Sequence, residues 1–149
     1  MNVQIPLPPK PIADRDTQAF WDAVAKRKLV VQRCSQCDAW IWQPRPLCPR
    51  CHAADPPWVE LNGDARVVSW TALHPPVLAV WADQVPFVVL LVELDGAAGV
   101  RMLGQLVDDS GALLKTNGDA EGLAIGDRLS LRWRVDEAGQ KLPAWTLAG

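Results

Sequence analysis

Along the last third of the chain the apolar positions fall two apart. Leu129, Leu131, Trp133 and Val135 alternate with Ser130, Arg132, Arg134 and Asp136, the pattern of a strand with one face in a core and the other toward water. The strand is expected over 128–135, and similar runs predict strands over 65–73, 86–94, 100–107 and 143–147. Asn62-Gly63, Asp95-Gly96, Ser110-Gly111, Asn117-Gly118, Gly126-Asp127 and Ala138-Gly139 supply the turn signals between them. No helical spacer is long enough for βαβ crossovers. Five such strands favour a small closed or nearly closed antiparallel barrel of the OB type, with a small β-sandwich as the alternative.

The front of the chain reads differently. Pro6, Pro8, Pro9 and Pro11 fix φ and remove backbone donors, so residues 1–13 are expected as an extended surface arm. Asp16 or Thr17 can cap a helix running to about Lys28, with Phe20, Trp21, Val24 and Ala25 on one face and Lys26-Arg27-Lys28 at the negative end of its dipole. Short strands are expected over 29–32 and 39–43, on either side of the first cysteine pair. Residues 52–57 form a polar, proline-containing connection, and from Trp58 onward the pattern turns to period two. The expected organisation is an arm over 1–16, a helix and metal ribbon over 17–57, and the barrel over 58–149.

Composition narrows the classes. A chain of 149 residues, 49% hydrophobic, can bury one sizeable core, or one core plus a small metal-held module. Its longest apolar run, 86–94, falls well short of the roughly 20 residues that span a bilayer. The N-terminus shows neither the basic nor the apolar region of a secretory signal, so a cytoplasmic, reducing location is expected, where clustered cysteines serve metals rather than disulfides. Charge is segregated: eight of the fifteen Lys and Arg, but only four of the seventeen acids, lie within the first 52 residues. This suggests, without identifying it, a basic face for phosphates or for an acidic partner.

The strongest chemistry is in the cysteines. Cys34-x2-Cys37 and Cys48-x2-Cys51 are separated by ten residues, and each knuckle can present two sulfurs to one ion. Four thiolates leave no open coordination position, so the site predicted is a structural Zn2+ ribbon rather than a water-activating centre. A rubredoxin-type iron site would use the same ligands; a redox-active C-x-x-C lacks its usual βαβ setting here. His52 is too close to Cys51 to join the same tetrahedron easily. Only two histidines are present, and no nucleophile elbow, zinc-protease or phosphate-loop motif occurs; self-contained catalysis is not expected. Among eight tryptophans, Trp70 and Trp133 belong to strands. Trp40 and Trp42 sit on the ribbon strand, and Trp81 lies with His74 in the 73–85 connection, marking a contact surface wherever they are exposed.

Several features recur in one order: Phe20-Trp21 on a leading helix, the two cysteine pairs with Pro44-Arg45 between them, Pro86-Phe87-Val88-Val89 running into Val92-Glu93-Leu94, Gly104, and Ile125-Gly126-Asp127. This order resembles the DUF35 family, in which a rubredoxin-like zinc ribbon precedes an OB-fold domain, and the likeness covers residue 17 to about 135. One departure is Asp38, where many members carry glycine; Asp tolerates the left-handed backbone expected there. The resemblance implies a mainly β chain with an N-terminal helix, acting as a non-catalytic accessory subunit. Its partner would be a thiolase-fold enzyme: a thiolase, an acyltransferase or a lipid-transfer-protein-like aldolase of steroid side-chain degradation, in a hetero-oligomer with two copies of each chain. The partner would carry the catalytic residues, with acyl-CoA at or near the interface. Phe20, Trp21, Arg45, His74 and Trp81 are the candidate contacts with partner or CoA. Two other classes stay open: single-stranded nucleic-acid binding through Arg132 and Arg134 on the OB face, against which the acidic balance of that region stands, and a free-standing acyl-CoA hydrolase or electron carrier.

Overall fold

In a computed structural model the described residues are 7–149; Pro6 and the start of the proline arm lie outside them. Chain order is α1 (Gln18–Ala25), β1 (Leu29–Arg33), β2 (Trp40–Ile41), β3 (Trp58–Leu61), β4 (Ala65–Leu73), a 3-10 turn (Ala79–Trp81), β5 (Phe87–Leu94), β6 (Arg101–Gln105), β7 (Arg128–Val135) and β8 (Lys141–Leu147). They form a three-stranded sheet, β2-β1-β3, and a five-stranded sheet, β6-β5-β4-β7-β8.

The entry to α1 is held by Asp14 rather than by the N-cap residue Thr17. Asp14 Oδ1 accepts the amides of Asp16 (3.1 Å) and Thr17 (2.8 Å) and the Thr17 hydroxyl (2.6 Å), a local alternative to a side-chain N-cap. The helix is shorter than expected. It stops at Ala25, and Arg27 adopts φ 59, a left-handed turn that redirects the chain into β1. The Lys26-Arg27-Lys28 run therefore follows the helix instead of lining its last turn, and Lys28 Nζ meets Glu60 Oε2 at 2.8 Å.

No strand was expected at Trp58–Leu61. It pairs antiparallel with β1 from Leu29↔Leu61 to Gln32↔Trp58, giving the ribbon strand a partner on each side.

In the larger sheet every neighbouring pair is antiparallel. A bulge between Val67 and Ser69 resets the alternation of β4, so that Ala65 and Val67, and then Trp70 and Ala72, pack toward the core. The sheet curls until its edges meet: Leu106 forms a parallel bridge with Trp145, and the Val107 amide donates to the Trp145 carbonyl at 2.9 Å. Such a five-stranded, nearly closed barrel is an OB fold.

Trp145 is fully buried, and its indole Nε1 donates to the Gly63 carbonyl at 2.9 Å. Around it, Val88, Leu90, Val92, Met102, Leu106 and Leu129 share one cluster with Phe20 and Val24 of α1 and Leu29 and Val31 of β1. Helix, ribbon sheet and barrel thus bury their apolar faces together.

The alternation of β7 fails at its end. Leu129 faces inward as expected, but Val135 is 50% exposed while Arg134 and Asp136 are buried. The connection before β5 covers this end of the strand, and Gln84 Oε1 accepts from Arg134 Nη2 at 2.8 Å. Asp136 turns its carboxylate to the amides of Ala138 (2.9 Å) and Gln140 (2.8 Å). No helix among the described residues is long and apolar enough to cross a membrane.

Candidate functional site

The two cysteine knuckles are built alike. The Cys34 amide donates to the Ala39 carbonyl and the Cys48 amide to the Ala53 carbonyl, both at 2.9 Å. Each loop then closes through the residue after its second cysteine: Asp38 N to Cys34 O at 3.0 Å, and His52 N to Cys48 O at 2.9 Å. Those two residues have φ 57 and φ 63, so Asp38 takes the left-handed backbone expected of it, and His52 does the same in the second knuckle. His52 is exposed.

The loops bring the sulfurs of Cys34, Cys37, Cys48 and Cys51 within 4.8 Å of one another, with Cys34 to Cys51 at 3.5 Å and Cys37 to Cys48 at 3.7 Å. A tetrahedron with metal–sulfur bonds of about 2.3 Å has edges of about 3.8 Å, so the donor set fits one ion. The thiols differ in acidity. The Cys51 amide, helped by that of Arg50 and opposed by burial, draws Cys48 down to about 6. Cys51 itself receives the Ala53 amide, which favours its thiolate, yet the neighbouring sulfurs of Cys34, Cys37 and Cys48 push it up to about 12. Four sulfurs this close cannot all ionise without a cation between them. A metal site with four sulfur donors follows, closed to water and substrate.

The five candidate contact residues do not form one site. Phe20, Trp21 and Trp81 come together along an apolar groove of about 270 Å³ on the outer barrel face, with Leu103, Pro143 and Arg134 among its other walls. Phe20 is mostly core there: its ring packs edge-on to Trp21 at 5.1 Å and Trp42 at 5.0 Å. Arg45 lies apart in the ribbon loop, lining a hollow with Arg15, Gln32 and Trp58; its amide donates to Gln32 Oε1 at 2.8 Å. His74 is exposed just beyond β4.

Sequence reasoning missed Arg134 as part of this groove. It is 5% exposed; Nη1 donates to Gln105 Oε1 at 2.7 Å and Nη2 to Gln84 Oε1. Burial pulls its pKa below the ordinary value, against the opposing pull of the Glu137 and Asp136 charges. The one available signal was Leu103, an apolar residue on the outward phase of β6.

Comparison with known proteins matches this architecture. The family model described as the ChsH2 rubredoxin-like zinc ribbon domain matches residues 21–57, and that of the ChsH2 C-terminal OB-fold domain matches 58–134. The solved structure described as "Ltp2-ChsH2(DUF35) aldolase" includes a chain that superposes with a TM-score of 0.75 at 31% identity, covering 94% of this chain and 100% of that one. The chain belongs to the DUF35 family. Two curated relatives fit that placement. A "DUF35 domain-containing scaffold protein" of Methanothermobacter thermautotrophicus is 27% identical over 128 residues, 84% of this chain and 87% of the relative. A "Probable enoyl-CoA hydratase alpha subunit" of Thermomonospora curvata is 39% identical over 101 residues, 68% of this chain. This DUF35 chain spans only 30% of the length of that hydratase subunit.

Proposed function

We propose that this DUF35 chain is a non-catalytic accessory subunit of a thiolase-fold enzyme complex acting on acyl-CoA, in which it stabilises the catalytic partner and helps accommodate the CoA arm. The reading rests on one observation: the end-to-end likeness to the chain of the Ltp2-ChsH2(DUF35) aldolase. The name of the hydratase relative, an alpha subunit of an acyl-CoA enzyme, points the same way. Zinc on Cys34, Cys37, Cys48 and Cys51 would hold the ribbon. The assembly is a hetero-oligomer with two copies of each chain, and the partner supplies the reacting groups.

Trp21 and Trp81, half-buried beside Leu103 at 69% exposure, are the partner-facing residues this reading favours; Arg45 and His74, both exposed, are further candidate contacts. Nucleic-acid binding is disfavoured by a specific arrangement. Arg132 Nη2 is engaged by Asp109 Oδ1 at 2.8 Å, and Arg134 lies too deep for a polynucleotide backbone. The test is co-expression with the thiolase-fold protein encoded nearest to this chain, followed by size exclusion and metal analysis. A stable complex with about one zinc per DUF35 chain, lost in Trp21→Ala plus Trp81→Ala, is the expected result. A zinc-loaded chain that ignores that protein and other thiolase-fold candidates would refute the reading.

A further inference from the structure

The groove between α1 and the 79–81 turn has a chemical character of its own. Its walls are apolar, from Trp21, Trp81, Leu103, Leu142 and Pro143, and Leu103 is held 69% exposed on the outward phase of β6. One of its walls carries a cation, Arg134, which also lines a second hollow with Gln84 and Glu137. The two Nη atoms of Arg134 serve only neutral amide oxygens, those of Gln105 and Gln84. Among the described residues no carboxylate lies within ion-pair distance of it. Its Nε makes no hydrogen bond among the described residues, and since no fully buried side-chain nitrogen is left without a partner, that Nε retains some exposure.

The nearby acids are committed elsewhere. Glu137 Oε1 accepts from Gln84 Nε2 at 2.7 Å, and the Asp136 carboxylate is used by the amides of its own turn. Arg134 feels the charges of Glu137 and Asp136 but makes an ion pair with neither, so a guanidinium in the wall of an apolar trough keeps capacity for one directly bonded anion, the usual partner of a buried charge. The groove volume of about 270 Å³ corresponds to about nine groups of water size at ~30 Å³ each, room for a medium-chain or aryl group.

We propose that this groove binds a small amphipathic carboxylate, its apolar body between Trp21 and Trp81 and its carboxylate on Arg134. The site is built wholly from this chain's residues and is open in the free chain; Trp21, Trp81 and Leu103 are also the face assigned above to the partner, so ligand and partner would compete for it. Gln84 and Gln105 act as positioning residues that fix the guanidinium through its two Nη atoms.

Octanoate and octan-1-ol, matched in chain and different in charge, are the probes, titrated into the metal-loaded full-length protein by calorimetry and tryptophan fluorescence. Octanoate should bind saturably and about tenfold or more tighter than octan-1-ol, the worth of one hydrogen bond to a charged group. Leu103→Glu, at an exposed position outside the core, should weaken octanoate by a similar factor and octan-1-ol far less. Arg134→Gln, its fold checked by circular dichroism, should bring octanoate down to the level of the alcohol. Equal binding of the two probes, no saturable binding of octanoate, or an octanoate affinity indifferent to Leu103→Glu would each overturn the proposal.

Discussion

Adding one methyl group at Gly104 tests whether the barrel closes as described. The new Cβ would lie 2.3 Å from Cζ3 and 2.6 Å from Cε3 of Trp145, and 3.1 Å from the Pro143 carbonyl oxygen. Carbon atoms in contact sit at about 3.5–4.0 Å, so the indole would have to retreat by roughly an ångström or more. It has nowhere to go without loss, because the side chain is fully buried and its Nε1 is bonded to the Gly63 carbonyl. Overpacking of a filled core costs about 1–3 kcal/mol, and losing the indole hydrogen bond adds about 1 kcal/mol. Gly104→Ala should therefore destabilise by about 2–4 kcal/mol, which at this chain length corresponds to a fall in Tm of roughly 4–16 °C. Thermal unfolding of the metal-loaded protein by circular dichroism measures it. Gly96→Ala is the control: its φ of 82 is strained for alanine, but the added Cβ meets nothing within 4 Å, leaving only a backbone cost of about 1 kcal/mol. A Gly104→Ala variant no less stable than Gly96→Ala would show that Trp145 does not pack against β6.

Three further outcomes follow from other parts of the molecule. Cys48→Ser should abolish stoichiometric metal binding, read by metal analysis, while the strand signal in far-ultraviolet circular dichroism persists. Asp108 holds its turn through the Ser110 hydroxyl and the amides of Ser110 and Ala112, and these bonds, Ser110 first, keep its carboxyl below the ordinary 3.8. A depressed folded pKa gives a contribution that is complete above the ordinary value and fades as pH falls through the folded one; the gap in urea midpoint between wild type and Asp108→Asn should be constant from neutral pH to about 5 and narrow below about 4. Lys28→Ala removes an ion pair whose side chains are 52% and 55% exposed; the loss of stability by urea unfolding should stay within about 1 kcal/mol.

Much of this fold could be read from alternation, and the misses have physical causes. β4 and β7 run over the ranges their period-two patterns predicted, because each has one face in the core over most of its length. β3 was invisible because Trp58–Leu61 is only four residues long and none of them is fully buried, too short for a period to register. The overlong helix came from counting Lys26–Lys28 as a C-terminal turn, when Arg27 takes a left-handed φ that is uncommon for an arginine. Arg134 sat on the phase expected to face water. Its partners there are Gln105 and Gln84, twenty-nine and fifty residues away in sequence, contacts that no local pattern encodes. The metal site was the most legible part, since its chemistry is local: two knuckles of four residues each set their own geometry through short-range backbone bonds.

Metal and core have separate tasks in this chain. Among the described residues the buried cluster around the knuckles contains only Cys34, Ile41 and Cys48, too little apolar area to hold two loops closed, so a bound ion would do what side chains do elsewhere. The groove depends on other contacts. α1 is seated by Phe20 and Val24 in the main core, and its end is tied to β8 by the Lys141 Nζ bond to the Ala25 carbonyl at 2.6 Å. The spacing between Trp21 and the barrel face is thus set by burial, with the ribbon sheet contributing Leu29 and Val31 from β1, upstream of the first cysteine. Removing the metal should open the knuckles and leave that seat in place. A ligand or partner that reads the groove should tolerate metal loss, whereas one that reads the ribbon tip should not, and this difference separates the two surfaces.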